Sequence, residues 1–313
     1  MFAKTILLLA AFQGIVIPFG RPRVIEQPRA PIQSEGPRWA VECEGAKDPE
    51  SWTKPAPPVR IHANTYLVGT CGISSILIVG SAGNVLIDGG TEEDAGLIAD
   101  NIRALGYNVR DIRFILTSHE HFDHVGGIAK LQQLSGATVI TSSAAAKVLS
   151  TGTPSADDPQ FGVVKTFPPV QVGRTVRDGE EVLLGNVMLT AIATPGHTPG
   201  ALSWRWVSCD GGVCRTIVYA DSLNPISNDT YRYSDHPAVV TAFRASIAKI
   251  AASPCEILLT PHPSRSNMPE RLALGRPLLD GDACKTYAAA RSKDLDDRLA
   301  KEAAGQPPVP AKP

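Results

Sequence analysis

Four potential metal ligands fall within six consecutive residues of this sequence: His119, His121, Asp123 and His124. His119 and His121 are two residues apart, so in extended backbone their side chains leave on the same face and can converge on one ion. Asp123 and His124 follow a turn, which directs them toward a second ion about 3.5–4 Å from the first. The preceding residues 113–117 are apolar and β-prone, which predicts a buried strand that anchors the ligand loop.

Two other interpretations of this cluster are less well supported. His119 and Glu120 open the zinc-protease pattern His-Glu-x-x-His, but Asp123 stands where that pattern needs its second histidine. A polar loop without an ion is the second alternative, and so dense a set of ligands after an apolar strand disfavours it.

Apolar runs and helical periodicity predict strands and helices that alternate along the chain. A helix is expected over 92–105, because its apolar residues recur at helical spacing, Thr91 can cap it and Gly106 can end it. Further helices are expected from about residue 128 and over 237–251. Strands are predicted at 66–68, 75–79, 85–87, 113–117, 182–184, 187–193, 202–206, 216–219 and 257–259. This order favours an α/β layered architecture.

The ligand cluster and four further segments resemble the metallo-β-lactamase superfamily, from about Trp52 to Ala300. The four segments are Ile-Asp-Gly-Gly-Thr at 87–91, Thr-Pro-Gly-His-Thr-Pro-Gly at 194–200, Tyr-Ala-Asp-Ser-Leu at 219–223 and Leu-Leu-Thr-Pro-His-Pro at 258–263. The resemblance implies an α/β fold, the four-layer αββα sandwich.

The resemblance also implies two Zn²⁺ per chain. The first ion would be held by His119, His121 and His197, and the second by Asp123, His124 and His262. Three neutral imidazoles leave one position of a tetrahedral zinc ion open for solvent. The implied reaction is hydrolysis of the β-lactam amide bond of penicillins, cephalosporins and carbapenems by a metal-bound hydroxide, which confers antibiotic resistance. Asp123 and His121 are the expected catalytic residues.

Residues around the metals are assigned by the same resemblance. Asp88 and Asp221 are expected to support the metal ligands, and Ser222, Asn224 and Gln160 to contact substrate. Ser222 has a simpler alternative role as a turn residue, and Gln160 has one as a surface-loop residue. Trp52 is expected either to wall the substrate groove or to pack. Whether Asp221 itself contacts a metal stays open, because related thioesterases and lactonases use an aspartate there as a bridge.

Three other functions remain open on the sequence. An exported di-zinc thioester or lactone hydrolase of the same fold is the principal alternative. A di-iron redox protein would need a flavin partner domain, which this sequence does not encode, and a non-catalytic zinc protein would need a blocked coordination position. The formal net charge of −1 gives no indication of nucleic-acid binding.

The six cysteines and the N-terminus indicate export. An even set of cysteines is typical of oxidising compartments, although six cysteines allow fifteen pairings and reduced buried thiols are the alternative. By resemblance to the exported third subclass of metallo-β-lactamases, the expected pairs are Cys43–Cys71, Cys209–Cys214 and Cys255–Cys284.

The predicted organisation begins with a signal peptide over 1–20, where Lys4 precedes a short apolar run; its cleavage site is open, and an uncleaved anchor is the alternative. A proline-rich surface arm at 21–58, a metallo-β-lactamase domain at 59–304 and a disordered tail at 305–313 follow. We expect a periplasmic monomer that acts on small-molecule β-lactams, without nucleic-acid partners or stable membrane association.

Overall fold

The computed structural model describes residues 35–275 and 277–306. The predicted signal peptide, the start of the arm at 21–34 and the end of the tail at 307–313 lie outside the described residues. Within the described ranges, no helix combines the length and the apolar character needed to cross a membrane.

Two β-sheets organise this part of the chain. In the first sheet the strands lie side by side in sequence order: β1 (Val59–His62), β2 (Thr65–Leu67), β3 (Ile76–Gly80), β4 (Gly83–Ile87), β5 (Ile112–Leu116), β6 (Thr138–Ser142) and β7 (Val172–Val176). The second sheet has the spatial order β12-β11-β10-β9-β8, formed by β8 (Glu181–Leu184), β9 (Val187–Ala193), β10 (Leu202–Asp210), β11 (Val213–Tyr219) and β12 (Ile257–Leu259).

Helices connect and flank these strands. Their bounds are α1 (Glu35–Glu42), α2 (Ala95–Ala104), α3 (Phe122–Val125), α4 (Ile128–Ser135), α5 (Ser143–Thr151), α6 (Pro237–Ala252), α7 (Met268–Ala273) and α8 (Ala283–Ala303). The inner faces of the two sheets form one core, which includes Ile76, Ile87, Trp204 and Ile217. Residues of α2, α4 and α5 pack on the outer face of the first sheet, and residues of α6 and α8 on that of the second. The predicted four-layer αββα sandwich is therefore confirmed.

The sequence periodicities explain the elements nearest the site. Strand β3 is buried along its whole length, as its unbroken apolar sequence requires for a strand covered on both faces. The helix predicted over 92–105 is present as a 3₁₀ turn followed by α2. Thr91 donates from its amide and hydroxyl to the Asp94 carboxylate at 2.9 Å, and Gly106 ends the helix with a φ of 85°.

The described part of the predicted arm differs from expectation. The sequence predicts a surface arm over 21–58, but α1 lies within it and Trp39 is only 1% exposed, packed into the core between the sheets. The proline-rich context and the short length hide this helix, which buries Gly36 and Trp39 one turn apart.

Three disulfides link Cys43 to Cys71, Cys209 to Cys214 and Cys255 to Cys284, the pairs that the resemblance implies. The first attaches the segment after α1 to the loop between β2 and β3, and the third attaches α8 to the segment before β12. With sequence separations of 28 and 29 residues, each of these two bonds stabilises the fold by about 3–4 kcal/mol through loop-closure entropy.

Replacing Trp39 by alanine tests the role of α1. Loss of a large buried side chain should lower the free energy of unfolding by about 3–5 kcal/mol. The matched control is Val41→Ala in the same helix, since Val41 is 72% exposed and its truncation should change stability by less than about 0.5 kcal/mol. Urea unfolding of metal-matched samples measures both; equal stability of the two variants would contradict a core role for Trp39.

Candidate metal centre

The predicted ligands lie in loops that leave one edge of the sandwich. The ligand loop at 118–121 follows β5 and leads into α3, which carries Asp123 and His124, and the loop containing His197 connects β9 to β10. Strand β4 is parallel to β5, and β11 is parallel to β12, so Asp88 and the ligand loop, like Asp221 and His262, follow neighbouring strand ends. Since carboxyl ends of parallel strands meet at the same edge, residues far apart in sequence converge there.

The six residues form two groups of three. In the first, His119, His121 and His197 each offer a nitrogen, and these atoms lie within 4.8 Å of one another. In the second, the ligand atoms of Asp123, His124 and His262 lie within the same distance of one another. The groups adjoin, because the rings of His119 and His124 have centroids 4.3 Å apart. The geometry therefore matches the two ligand sets expected from the sequence.

Four of the five imidazoles are oriented by a hydrogen bond from the ring nitrogen that points away from the cleft. The Nδ1 atom of His119 donates to Asp221 Oδ1 at 2.8 Å, and Nδ1 of His197 donates to the Asn224 carbonyl at 2.9 Å. These bonds leave Nε2 of both rings facing the cleft. A buried acceptor behind a metal-binding imidazole fixes both its tautomer and its direction.

The other two oriented rings use different partners. His121 donates through Nε2 to Asp158 Oδ2 at 2.9 Å, so this ring alone presents Nδ1 to the cleft. His262 donates through Nδ1 to the Gly72 carbonyl at 3.2 Å and presents Nε2.

The surroundings of the His124 ring indicate whether the site suits a metal ion. Both of its ring nitrogens are buried without a hydrogen bond to any residue that the structure describes, although Nε2 lies 3.1 Å from Asp123 Oδ2. A buried unpaired imidazole nitrogen is costly, and coordination of a cation removes that cost. Together with two three-residue donor sets that supply imidazole nitrogen and carboxylate oxygen, this environment fits divalent metal ions such as zinc.

Burial controls the protonation of the site. It lowers the pKa of His197 to about 3, with the neighbouring His121 adding to the effect, and it lowers the pKa of His262 to about 4. Burial and the surrounding imidazoles hold the pKa of His119 well below its usual value. These rings are neutral at pH 7, which is the state that binds metal. Burial opposes ionisation of Asp123, but His124 and His262 lower its pKa, so its carboxylate is charged.

Asp88 and Asp221 lie behind the ligands. Asp88 has a left-handed backbone, with a φ of 62°, and its buried carboxylate accepts from the amide and hydroxyl of Ser118 and from the Tyr219 hydroxyl, each at 2.7 Å. It thereby fixes the residue that begins the ligand loop. Asp221 supports His119 from behind and belongs to neither ligand group.

Glu120 has a structural position between two ligands. Its buried carboxylate accepts from the Thr198 hydroxyl at 2.7 Å and from the Gly200 amide at 2.8 Å. It therefore joins the ligand loop to the loop that carries His197, an arrangement unlike that of the general base of a zinc protease.

A cleft of about 250 Å³ opens over the two groups. Ser222, Asn224 and Gln160, the expected substrate residues, all line it, and Gln160 Nε2 lies 3.5 Å from His197 Nε2. Trp52 forms part of the wall, with its ring centroid 5.6 Å from that of His262.

The sequence does not identify several residues of the site. Asp158 lies two residues before Gln160, a predicted substrate contact, but nothing local marks it as the partner of His121. Tyr219 is the first residue of the segment Tyr-Ala-Asp-Ser-Leu at 219–223, which is the one sequence signal that points to it. Arg265, which also lines the cleft, lies two residues after the segment at 258–263 and carries no distinctive pattern.

Comparison with known proteins agrees with this geometry. Residues 68–262 match the family model of the metallo-beta-lactamase superfamily. The chain belongs to this superfamily of metal-dependent proteins.

Within it, the chain is similar to subclass B3 metallo-β-lactamases. The metallo-β-lactamase MIM-1 from Novosphingobium pentaromativorans is 48% identical with a TM-score of 0.83, over 85% of this chain and 98% of that one. The subclass B3 enzyme MEM-A1 from a soil metagenome library is 43% identical with a TM-score of 0.79, over 82% of this chain and all of that one.

Curated relatives match over shorter spans. A probable metallo-hydrolase of Methanocaldococcus jannaschii is 30% identical over 157 residues, which cover 50% of this chain and 66% of that protein. A hydroxyacylglutathione hydrolase of Idiomarina loihiensis is 31% identical over 100 residues, 32% of this chain and 31% of that protein. The chain thus spans less than two thirds of either relative.

Removal of the Asp158 carboxylate tests how His121 is held. Asp158→Ala should weaken metal affinity about 10–100-fold, because the ring loses the acceptor that directs Nδ1 to the cleft. Asp157→Ala is the matched control, since Asp157 is exposed and has no contact with a ligand in the described structure. Competition with a chromophoric chelator measures both affinities, and equal values would show that Asp158 does not orient the site.

Proposed function

We propose that this protein hydrolyses the β-lactam amide bond with two Zn²⁺ per chain, and so confers resistance to penicillins, cephalosporins and carbapenems. The observation that carries the proposal is the pair of adjoining ligand groups, His119, His121 and His197 with Asp123, His124 and His262, beneath one open cleft. The likeness to subclass B3 enzymes over most of the chain supports the substrate class.

The chemistry divides between the ions and the protein. Zinc, when bound, supplies water with a pKa of about 7 and polarises the oxygen of the amide carbonyl. His119, His121 and His197 would hold the first ion, and Asp123, His124 and His262 would hold the second. The Asp123 carboxylate lines the cleft, so it can also accept a hydrogen bond from the attacking water and orient it.

Residues that line the cleft provide the other contacts with the substrate. Ser222 and Asn224 both line the cleft and can donate hydrogen bonds to the carboxylate that β-lactams carry. Trp52 provides an apolar wall, and Gln160 lies beside His197. Because no side chain is needed as a nucleophile, hydrolysis proceeds without a covalent acyl-enzyme.

Asp221 favours a β-lactamase over the alternative thioester or lactone hydrolase. In such enzymes an aspartate at this position bridges the two metals. Here Asp221 Oδ1 accepts a hydrogen bond from Nδ1 of His119, on the far side of the ring from the cleft. The hydroxyacylglutathione hydrolases that resemble this chain do so over about a third of its length.

The same proposal places the enzyme outside the cytoplasm. Three disulfides with no free cysteine among the described residues suit an oxidising compartment, and we propose the periplasm. We further propose that the enzyme acts as a monomer, since the cleft is built from one chain.

Chelation tests the metal dependence and the substrate class together. Hydrolysis of a carbapenem should disappear on dialysis against a chelator and return with zinc, at about two ions per chain by mass spectrometry or atomic absorption. Lactoylglutathione, assayed in parallel, should be turned over far more slowly. An active metal-free protein, or faster turnover of the thioester, would overturn the proposal.

Substitution of Asp123 tests its catalytic role. Asp123→Asn should lower kcat for a carbapenem by about 10²-fold or more, because the amide cannot accept the proton of the attacking water as the carboxylate does. Asp100→Asn, at an exposed position of α2, is the control and should leave kcat unchanged. Steady-state kinetics at saturating zinc separates this effect from loss of metal, and an unaltered kcat for the Asp123 variant would remove the residue from the mechanism.

A further inference from the structure

The C-terminal helix α8 contacts the floor of the cleft. Arg291 of this helix donates from Nη1 to Oδ1 of Asn224 at 2.5 Å. The Asn224 side chain lines the cleft, and its Nδ2 atom has no hydrogen-bond partner among the residues that the structure describes. The amide is therefore bound on its oxygen side by the protein and left unpaired on its nitrogen side.

The orientation of this amide decides what the cleft can bind. A side-chain amide has one accepting oxygen and one donating nitrogen, and either end can in principle face a ligand. With Nδ2 toward the cleft, Asn224 donates to an anion; with Oδ1 toward it, the oxygen repels one. Arg291 can only donate hydrogen bonds, and the NH₂ group of an amide can also only donate. If the Asn224 amide were inverted, its NH₂ group would therefore face Arg291 without forming a hydrogen bond.

Arg291 is itself held in place. Its guanidinium forms an ion pair with Asp294 at 3.0 Å and lies 5.3 Å from the centroid of the Tyr287 ring, with the Arg291 side chain 12% exposed. The Tyr287 hydroxyl donates to the Asp221 carbonyl at 2.8 Å and accepts from the Leu223 amide at 3.2 Å. The backbone before Asn224 and its side chain are thus fixed from the same helix.

We propose that Arg291 is a positioning residue that locks the Asn224 amide with its NH₂ group toward the cleft, so that Asn224 binds the carboxylate of the substrate. This inference rests on the proposed β-lactamase function. Because the bond between Arg291 and Asn224 is charge-assisted, it also polarises the amide and strengthens the donor that faces the ligand.

The experiment compares a cephalosporin with its neutral methyl ester. Arg291→Met should raise KM for the acid about 10-fold or more, the effect of losing a hydrogen bond to a charged group, with a smaller change in kcat. KM for the ester should not change, because the ester has no anionic group to bind. Arg291→Lys retains a donor-only cation and should recover most of the acid KM. Lys293→Met, at an exposed position on the same helix, is the control and should match the wild type.

A double-mutant cycle tests whether Arg291 changes KM through Asn224. Asn224→Ser removes the amide whose orientation is at issue, so adding Arg291→Met to it should change the acid KM by less than about 2-fold. Asn224→Asp, which needs no change at Arg291, should present an oxygen to the cleft and raise KM for the acid but not for the ester.

The opposite outcomes overturn the proposal. An Arg291→Met effect that persists undiminished in the Asn224→Ser background, an equal effect on acid and ester, or a loss of zinc in the Arg291 variants would assign Arg291 another role. An Asn224→Asp variant that leaves the acid KM unchanged would do the same without relying on the Arg291 variants. Failure of the β-lactamase function itself would be seen separately, as absence of turnover of both compounds by the wild type.

Discussion

The direction in which each buried imidazole points is the constraint on which this structure depends. A histidine ring has two nitrogens, and only an acceptor placed behind the ring decides which one faces the cleft. For His119 and His121 those acceptors are the carboxylates of Asp221 and Asp158, and for His197 a backbone carbonyl serves. The sandwich brings these acceptors to a common edge and buries them, so that ligand geometry is set before any ion binds.

Much of the ligand set is predictable because it is local or lies at strand ends. The dense cluster around His119 follows an apolar strand, and its spacing alone indicates two converging pairs. His197 and His262 stand alone in sequence and become identifiable only through resemblance to a family. Strands β2 to β5 and β8 to β12 and helix α2 are likewise predictable, since burial on one or both faces leaves a clear periodicity in the sequence. Strands β1, β6 and β7 are not predicted.

The supporting partners are far less predictable, for physical reasons. The carbonyls of Gly72 and Asn224 act through the backbone, which carries no residue identity in the sequence. Helix α8 is difficult to predict from the sequence because it buries charged residues among its apolar ones. Its Arg298 and Glu302 form a buried ion pair at 2.5 Å. Helix α1 is difficult to predict because it is only eight residues long and lies in proline-rich sequence, although Trp39 packs it into the core.

The Cys43–Cys71 disulfide constrains the metal centre as well as stabilising the fold. Cys71 is bonded to Cys43, and the next residue, Gly72, supplies the carbonyl that receives the Nδ1 proton of His262. Cross-linking of two cysteines 28 residues apart therefore restricts the backbone atom that aims one of the imidazoles. The Cys43–Cys71 disulfide thus restrains, through a single peptide unit, the backbone that supports His262.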